Sequence, residues 1–360
     1  MSDREYLVAV SSFIPFGPAR IKLLLSYFGS AKKIWQAEKS KLIKLGLGEQ
    51  RTADFVKYRE ELNCKKYFAK LEKLSIGCFT FSDKAYPPNL KDLPNAPIVL
   101  YIKGKLKVSD INAVAIVGSR KMTAYGREVT GKFSSELASF GVTVVSGLAR
   151  GIDTEAHQAA LSVGGRTIAV LGCGLDLVYP PENTQLASEI VHSGALLSEY
   201  PLGYPAIPLN FASRNRIISG LAKAVLVIEG AEKSGTLLTA SHAAEQGRTV
   251  FAVPGQITSP LSGAPLFLIK NGAKMATSTK DILEELDIQI KVDREVVEKI
   301  LPASPEEEKI LAILENENLH LDEIARISSL ATSIISARLT MMELKGLVKS
   351  LGGGIYKKCS

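Results

Sequence analysis

Residues 114–120 read Val-Ala-Ile-Val-Gly-Ser-Arg: four apolar residues, three of them β-branched, closed by a glycine and a cation. A strand with one wet face alternates apolar and polar residues, whereas a strand covered on both faces is apolar throughout. Runs of the same kind recur at Val142–Ser146, Thr167–Leu171, Leu196–Ser198, Val225–Ile228 and Val250–Val253. Between them lie helical stretches at Tyr125–Phe140, Thr154–Val163, Asn183–His192, Asn215–Leu221, Thr236–Gln246 and Ala264–Lys270. Strand and helix in alternation at this spacing predict a parallel, doubly wound α/β sheet over 83–288. Ligands of such sheets bind outside the carboxyl ends of the strands.

The rest of the chain frames this centre. At 360 residues two or three domains are expected, and 46% hydrophobic against 22% charged residues is enough to build cores. No apolar run reaches the length of a membrane span, and the start, MSDREYLVAV, has no cleavable apolar core. Cys64, Cys78, Cys173 and Cys359 are scattered and form no C-x-x-C. Neither a disulfide framework nor a zinc site is predicted, and a reducing, cytoplasmic location is expected.

Residues 1–82 hold 15 Lys/Arg against 8 Asp/Glu, while the remainder holds 29 of each, so the whole excess of +7 sits in the first quarter. Such a patch fits a polyanion, or simply a solvated helical surface. This segment is expected to be helical. Gly29 closes one helix, Ser30 caps the next, and Ser40 caps Lys41–Leu45. The turns Pro15-Phe16-Gly17-Pro18 and Gly46-Leu47-Gly48 each precede a helix, the outline of a helix-hairpin-helix (SAM-like) domain that could hold phosphate on its amides. Residues 289–303 are polar and read as a linker. In 304–360, three short helices and a hairpin around Gly352-Gly353-Gly354 predict a winged helix.

Chemistry collects at the predicted strand ends. Val117 runs into Gly118-Ser119-Arg120, and Val145 into Ser146-Gly147-Leu148-Ala149-Arg150-Gly151-Ile152-Asp153. Ile228 leads to Ser234-Gly235-Thr236. Glycines let a ligand approach the backbone, and helix N-termini favour negative charge. Phe211-Ala212-Ser213-Arg214-Asn215-Arg216 places an aromatic face and two arginines before a helix, the parts of a single-strand nucleic-acid site. Each piece also has a structural reading. Gly-rich turns close every sheet of this class, Asp153 can brace a helix, Phe211 can be core, and one of Arg214 and Arg216 can be a structural ion pair.

Enzyme signatures are missing. Gly230-Ala231-Glu232-Lys233-Ser234 lacks the second glycine of a Walker loop. Gly172-x-Gly174 does not run into a helix, so no dinucleotide cofactor is expected. His157, His192, His242 and His320 show no metal spacing, and His157 and His242 read as packing residues.

The motifs together resemble the DNA-processing protein A family (DprA, also called Smf) over nearly the whole chain. The resemblance rests on Ala115–Arg120, Ser146–Asp153, Gly174-Leu175-Asp176 with Tyr179-Pro180, Arg214–Leu221, and Ser234-Gly235-Thr236 through Thr239-Ala240. It implies an extended Rossmann fold that binds single-stranded DNA without catalysis, cofactor or metal. It further implies a homodimer that protects incoming DNA and loads the RecA recombinase on it during natural transformation. Arg120 looks like the family's phosphate-binding arginine, Phe211 like the aromatic that packs on a base, and Arg214-Asn215-Arg216 like the adjoining basic motif. Gly118, Ser119, Ser146, Gly147, Gly151, Asp153, Ser234, Gly235 and Thr236 look like the pocket floor. Some members carry Lys where this chain has Pro208, and many have Phe-Pro where it has Phe211-Ala212. The first departure puts one phosphate contact in question.

Two other readings stand beside this one. Phosphoribohydrolases on a related fold place a catalytic Glu where this chain has Thr239, with Glu229 the nearest substitute. A purely architectural adaptor would keep the loops for folding alone. The predicted winged helix holds 7 Lys/Arg and 8 Asp/Glu, with only Arg338 and Lys345 on its Thr332–Lys345 helix. Duplex readers are normally basic, so a protein contact or weak DNA contact is expected there.

Overall fold

The computed structural model describes residues 1–91, 93–286, 305–315, 317–344 and 347–359. The linker expected over 289–303 lies outside them. The chain divides into two compact units, 1–289 and 290–360.

The first unit opens with helices. A capping box between Ser2 and Glu5 starts α1 (Asp3–Ser11). Helix α2 (Gly17–Phe28) starts on Pro18 and stops at Gly29, whose φ of 76° is left-handed. Ser30 caps α3 (Ala31–Trp35). Helix α4 (Lys39–Leu42) starts with Glu38 at its cap position, so Ser40 lies inside it rather than capping it. Then come α5 (Glu49–Glu61) and α6 (Cys64–Lys73), the latter capped by Asn63.

The α/β part follows as β1 (Ile76–Thr80), α7 (Pro88–Lys91), β2 (Val99–Gly104), β3 (Ala113–Val117), α8 (Ala124–Ser139), β4 (Thr143–Ser146), α9 (Ile152–Ser162), β5 (Thr167–Val170), α10 (Thr184–Ser193) and β6 (Ala195–Ser198). It continues as α11 (Pro208–Leu221), β7 (Ala224–Val227), α12 (Gly235–Glu245), β8 (Thr249–Ala252), α13 (Gly263–Lys270), β9 (Lys274–Met275) and α14 (Thr279–Glu285).

All six predicted strands are present. They lie in one sheet of order β1-β2-β6-β5-β4-β3-β7-β8-β9, parallel from β6 to β9. Strands β1 and β2 add an antiparallel edge. From β3 the chain winds one way through β4, β5 and β6, then returns to β7 on the other side of β3. The order thus reverses at β3/β7, and the crevice above that point is where a ligand belongs.

Two expectations are corrected. The 1–82 segment is not wholly helical, because β1 pairs with β2 through Ile76 and Lys103. Its helices also share a core with the sheet: Leu7, Phe16, Leu24 and Ile34 belong to one cluster with Ile98, Tyr101 and Leu196. The predicted 82/83 boundary therefore falls inside a continuous core. Helix α11 begins at Pro208, seven residues before Asn215. Proline's fixed φ suits the first helical turn, so Phe211 and Arg214 ride on the helix rather than on a loop before it.

Helices α8 and α9 cover one sheet face, with Phe133, Leu137, Ala156 and Ala160 against Val114, Ile116 and Val144. Helices α7, α11 and α12 cover the other, with Leu90, Ile217, Ile218 and Ala240 against Ala115, Val117 and Val225. His157 of α9 is fully buried, with Nδ1 2.6 Å from the Thr167 hydroxyl. That hydroxyl donates to the Val144 carbonyl, so it accepts from His157 and the ring is the neutral Nδ1–H tautomer. Nε2 is buried without a partner among the described residues, and burial pushes the imidazole down to about 3.

His157 therefore sets a pH dependence. The unfolded chain takes up this proton near pH 6.5 and the folded chain only near pH 3, so acid favours unfolding. Stability is expected to fall by about 1.4 kcal/mol per pH unit from this residue as pH drops through that window. Urea titrations at pH 7 and pH 5 should show this slope in the parent and a shallower one in His157→Gln.

The second unit contains α15 (Pro305–Ile313), β10 (Leu319–His320), α16 (Leu321–Ser328), α17 (Thr332–Leu344), β11 (Val348–Gly352) and β12 (Ile355–Lys358). Its sheet runs β10-β12-β11, and Ile310, Ile324, Ile335, Leu339 and Val348 fill its core. Three helices and this sheet make the predicted winged helix, with β10 as an added strand. Arg338 lies 3.8 Å from Glu306.

Candidate nucleic-acid interface

A cavity of about 470 Å³ opens at the β3/β7 crevice. Its wall comes from the loop after β3, the α9 start, α11 and the α12 start. Gly118, Ser119, Arg120, Asp153, Phe211, Arg214, Asn215, Ser234, Gly235 and Thr236, all singled out from sequence, line it together. So does Pro208.

The tight loops explain the glycines. Gly151 has φ of 75°, and a Cβ there would lie 2.3 Å from the Ser119 carbonyl oxygen. The loops after β3 and β4 can press together only because it has none. Gly147 plays a similar part for Arg214: a Cβ would sit 2.3 Å from Nη1.

Arg214 is 3% exposed. Its Nη1 donates to the carbonyls of Gly147, at 2.6 Å, and Val170. Asp153 attracts it through space without a direct ion pair, and the carboxylate accepts from the amides of Gly147 and Ala149 at 3.1 and 3.4 Å. Burial raises the Asp153 carboxyl although Arg214 opposes the shift, and burial lowers the Arg214 guanidinium to about 10. In both, desolvation outweighs the attraction between the two buried charges, which position the loops rather than stabilise them.

In front of this pair lies Phe211. Its ring has the Arg120 guanidinium 5.4 Å from its centroid and that of Arg214 at 6.0 Å. Gly172 makes room, since a Cβ there would come within 3.0 Å of the ring. Tyr179 adds a second ring, 5.4 Å from Phe211 at 37° and 41% exposed. Arg120 itself is exposed, and α12 starts at Gly235 with no side-chain cap. The Ser234 hydroxyl is buried without a partner. A free guanidinium, an uncapped helix N-terminus and two rings make a surface for phosphate and base together.

Four residues singled out from sequence are elsewhere. The buried Ser146 hydroxyl donates to the Ile116 carbonyl at 2.6 Å and ties β4 to β3. Gly147 and Gly151 act as spacers behind the wall. Arg216 points to the other side of α11, where Nη2 pairs with Glu199, because two helical residues are about 200° apart. From sequence Tyr179 stands out only as part of a motif, and its place between the Gly-rich turn and Pro180 is the signal that marks it. Glu229 is 4% exposed and accepts from the Thr123 amide and hydroxyl at 3.0 and 2.5 Å, capping α8 outside this cavity. Asp153 is the only carboxylate in the lining.

Residues 77–287 match the DNA recombination-mediator protein A family, and residues 298–354 match the DprA winged helix domain. Protein Smf of Synechocystis is 36% identical over 99% of both chains. DNA processing protein DprA of Bacillus subtilis is 40% identical over 71% of this chain and 89% of its own. Among solved structures, DprA from Streptococcus pneumoniae superposes with a TM-score of 0.62 at 38% identity, over 69% of this chain and 87% of that one. DNA processing protein A from Helicobacter pylori, described as binding single-stranded DNA, gives 0.54 at 29% identity, over 59% and 96%. Sequence, sheet order and the composition of the β3/β7 crevice agree: the chain belongs to the DNA recombination-mediator protein A family.

Proposed function

We propose that this protein binds single-stranded DNA at the β3/β7 crevice without catalysing a reaction on it. The observation that carries the reading is the Phe211 ring, flanked by Arg120 at 5.4 Å and by the exposed Tyr179. A base stacks on the rings while its phosphate meets Arg120 and the α12 N-terminus. The Helicobacter pylori relative supports the ligand class. Hydrolysis is disfavoured because Thr239, not Glu, lines the cavity, and the buried Asp153 is committed to two backbone amides.

The finer reading follows the resemblance. The protein is a cytoplasmic homodimer that protects incoming DNA and loads a RecA-type recombinase on it during natural transformation. Its organisation is one DNA-binding unit in which the N-terminal helices share a core with the α/β sheet, followed by a linker over 289–303 and a winged helix over 304–360. The winged helix contacts protein or binds DNA weakly, since Arg338 is engaged by Glu306. No single helix among the described residues is long and apolar enough to cross a membrane.

Fluorescence anisotropy of a labelled oligothymidine against the full chain tests the core of this reading. Single strand should bind tightly and duplex weakly, and incubation with nucleoside monophosphates should release no free base. Equal affinity for both strands, or base release, would reject it. Tyr179→Ala should weaken single-strand binding by about 1 kcal/mol, roughly fivefold, in the same assay. Recombinase loading is read from strand-exchange rates on coated single strands, with and without this protein.

A further inference from the structure

Arg216 faces a second cavity of about 290 Å³, on the side of α11 away from Phe211. Its wall includes Gly17 and Pro18 of α2, Glu199 and Ser213, with Ile14 and Val99 among its apolar parts. Arg216 is 8% exposed. Its Nη2 pairs with Glu199, but Nη1 is buried and has no partner among the described residues. A buried guanidinium N–H left unpaired is costly, and native structures rarely leave one empty. The second observation is independent of the first. Helix α2 is twelve residues long, begins at the same cavity, and has no side-chain cap. The Gly17 amide is taken by the Ile14 carbonyl and Pro18 has none, so what the start of α2 offers an anion is the positive end of its dipole.

We propose that this cavity binds a small molecule bearing one phosphate group, held between Arg216 Nη1 and the N-terminus of α2. The guanidinium matches phosphate oxygens, and the positive end of the α2 dipole favours their charge. Ile14 and Val99 offer the organic remainder an apolar wall. Glu199 limits the charge the site accepts. It balances Arg216, so only the partial charge of the α2 terminus is left over. The site thus suits a single phosphate and not a polyanionic strand. Occupancy would join α2 to α11, the helix that carries Phe211 on its opposite face.

Calorimetric titration of the full chain tests this, with inorganic phosphate and adenosine 5′-monophosphate as separate probes in a phosphate-free buffer. Arg120→Ala serves as the background, because it removes a phosphate contact at the other cavity. Saturable binding should persist there. Equal affinity for the two probes identifies free phosphate as the ligand, and tighter monophosphate binding identifies an ester. Adding Arg216→Lys, which keeps a cation on Glu199, should weaken binding about tenfold. Ser213→Phe, at the rim, should block the cavity and do the same. No saturable binding in the background protein overturns the proposal, and so does binding that survives either substitution undiminished. A folding defect in Arg216→Lys, seen as a changed melt, leaves Ser213→Phe to decide.

Discussion

Asp153→Ala is expected to lower the stability of the first unit by about 2–4 kcal/mol, because it strips two amides of their acceptor and a buried guanidinium of its nearby opposite charge. Arg214 cannot escape to water from its place behind Phe211, at 3% exposure. Without Asp153 it keeps the Gly147 and Val170 carbonyls but loses its counter-charge, and the Gly147 and Ala149 amides lose their acceptor. Asp153→Asn keeps an oxygen for the amides and removes only the charge, so its loss should be smaller. The measurement is urea denaturation followed by Trp35, the single tryptophan. It is a fair reporter because it packs against the core that the N-terminal helices share with the sheet. A midpoint for Asp153→Ala equal to the parent's would mean that Arg214 needs no counter-charge. The positioning role given to the pair would then fail.

Much of this arrangement was legible beforehand, for identifiable reasons. Strands buried on both faces announce themselves as unbroken apolar runs, so β3, β4, β5, β6, β7 and β8 were found nearly to the residue. Strand β1 reads Ile-Gly-Cys-Phe-Thr, neither alternating nor wholly apolar, because it is an edge strand under helices. No local pattern marks such a position. The site failed at one point, the phase of α11. Reading its start at Asn215 left Arg214 and Arg216 as one basic motif. Starting it at Pro208 puts Phe211 and Arg214 three residues apart on one face and Arg216 on the opposite one. The Arg216–Glu199 ion pair joins residues 17 positions apart, and Asp153 acts on Arg214 from 61 positions away; only the fold brings them together.

Arg120→Ala and Phe211→Ala should each weaken binding of an oligothymidine by about 1–3 kcal/mol, and they should do so in different ways. The guanidinium neutralises a phosphate and releases a counterion, so its loss should reduce the slope of log affinity against log salt by about 0.7. The ring carries no charge, and its loss should leave that slope unchanged. Anisotropy at a series of salt concentrations separates the two. The geometry also predicts that they are not independent. Arg120 sits 5.4 Å from the Phe211 centroid, so each holds the other in place before DNA arrives. The double variant should therefore lose less than the sum of the single losses, the mark of groups that act as one platform. Strict additivity would mean that ring and cation meet the strand separately. An unchanged salt slope in Arg120→Ala would move the phosphate contact elsewhere, with the basic 1–82 segment the first place to look.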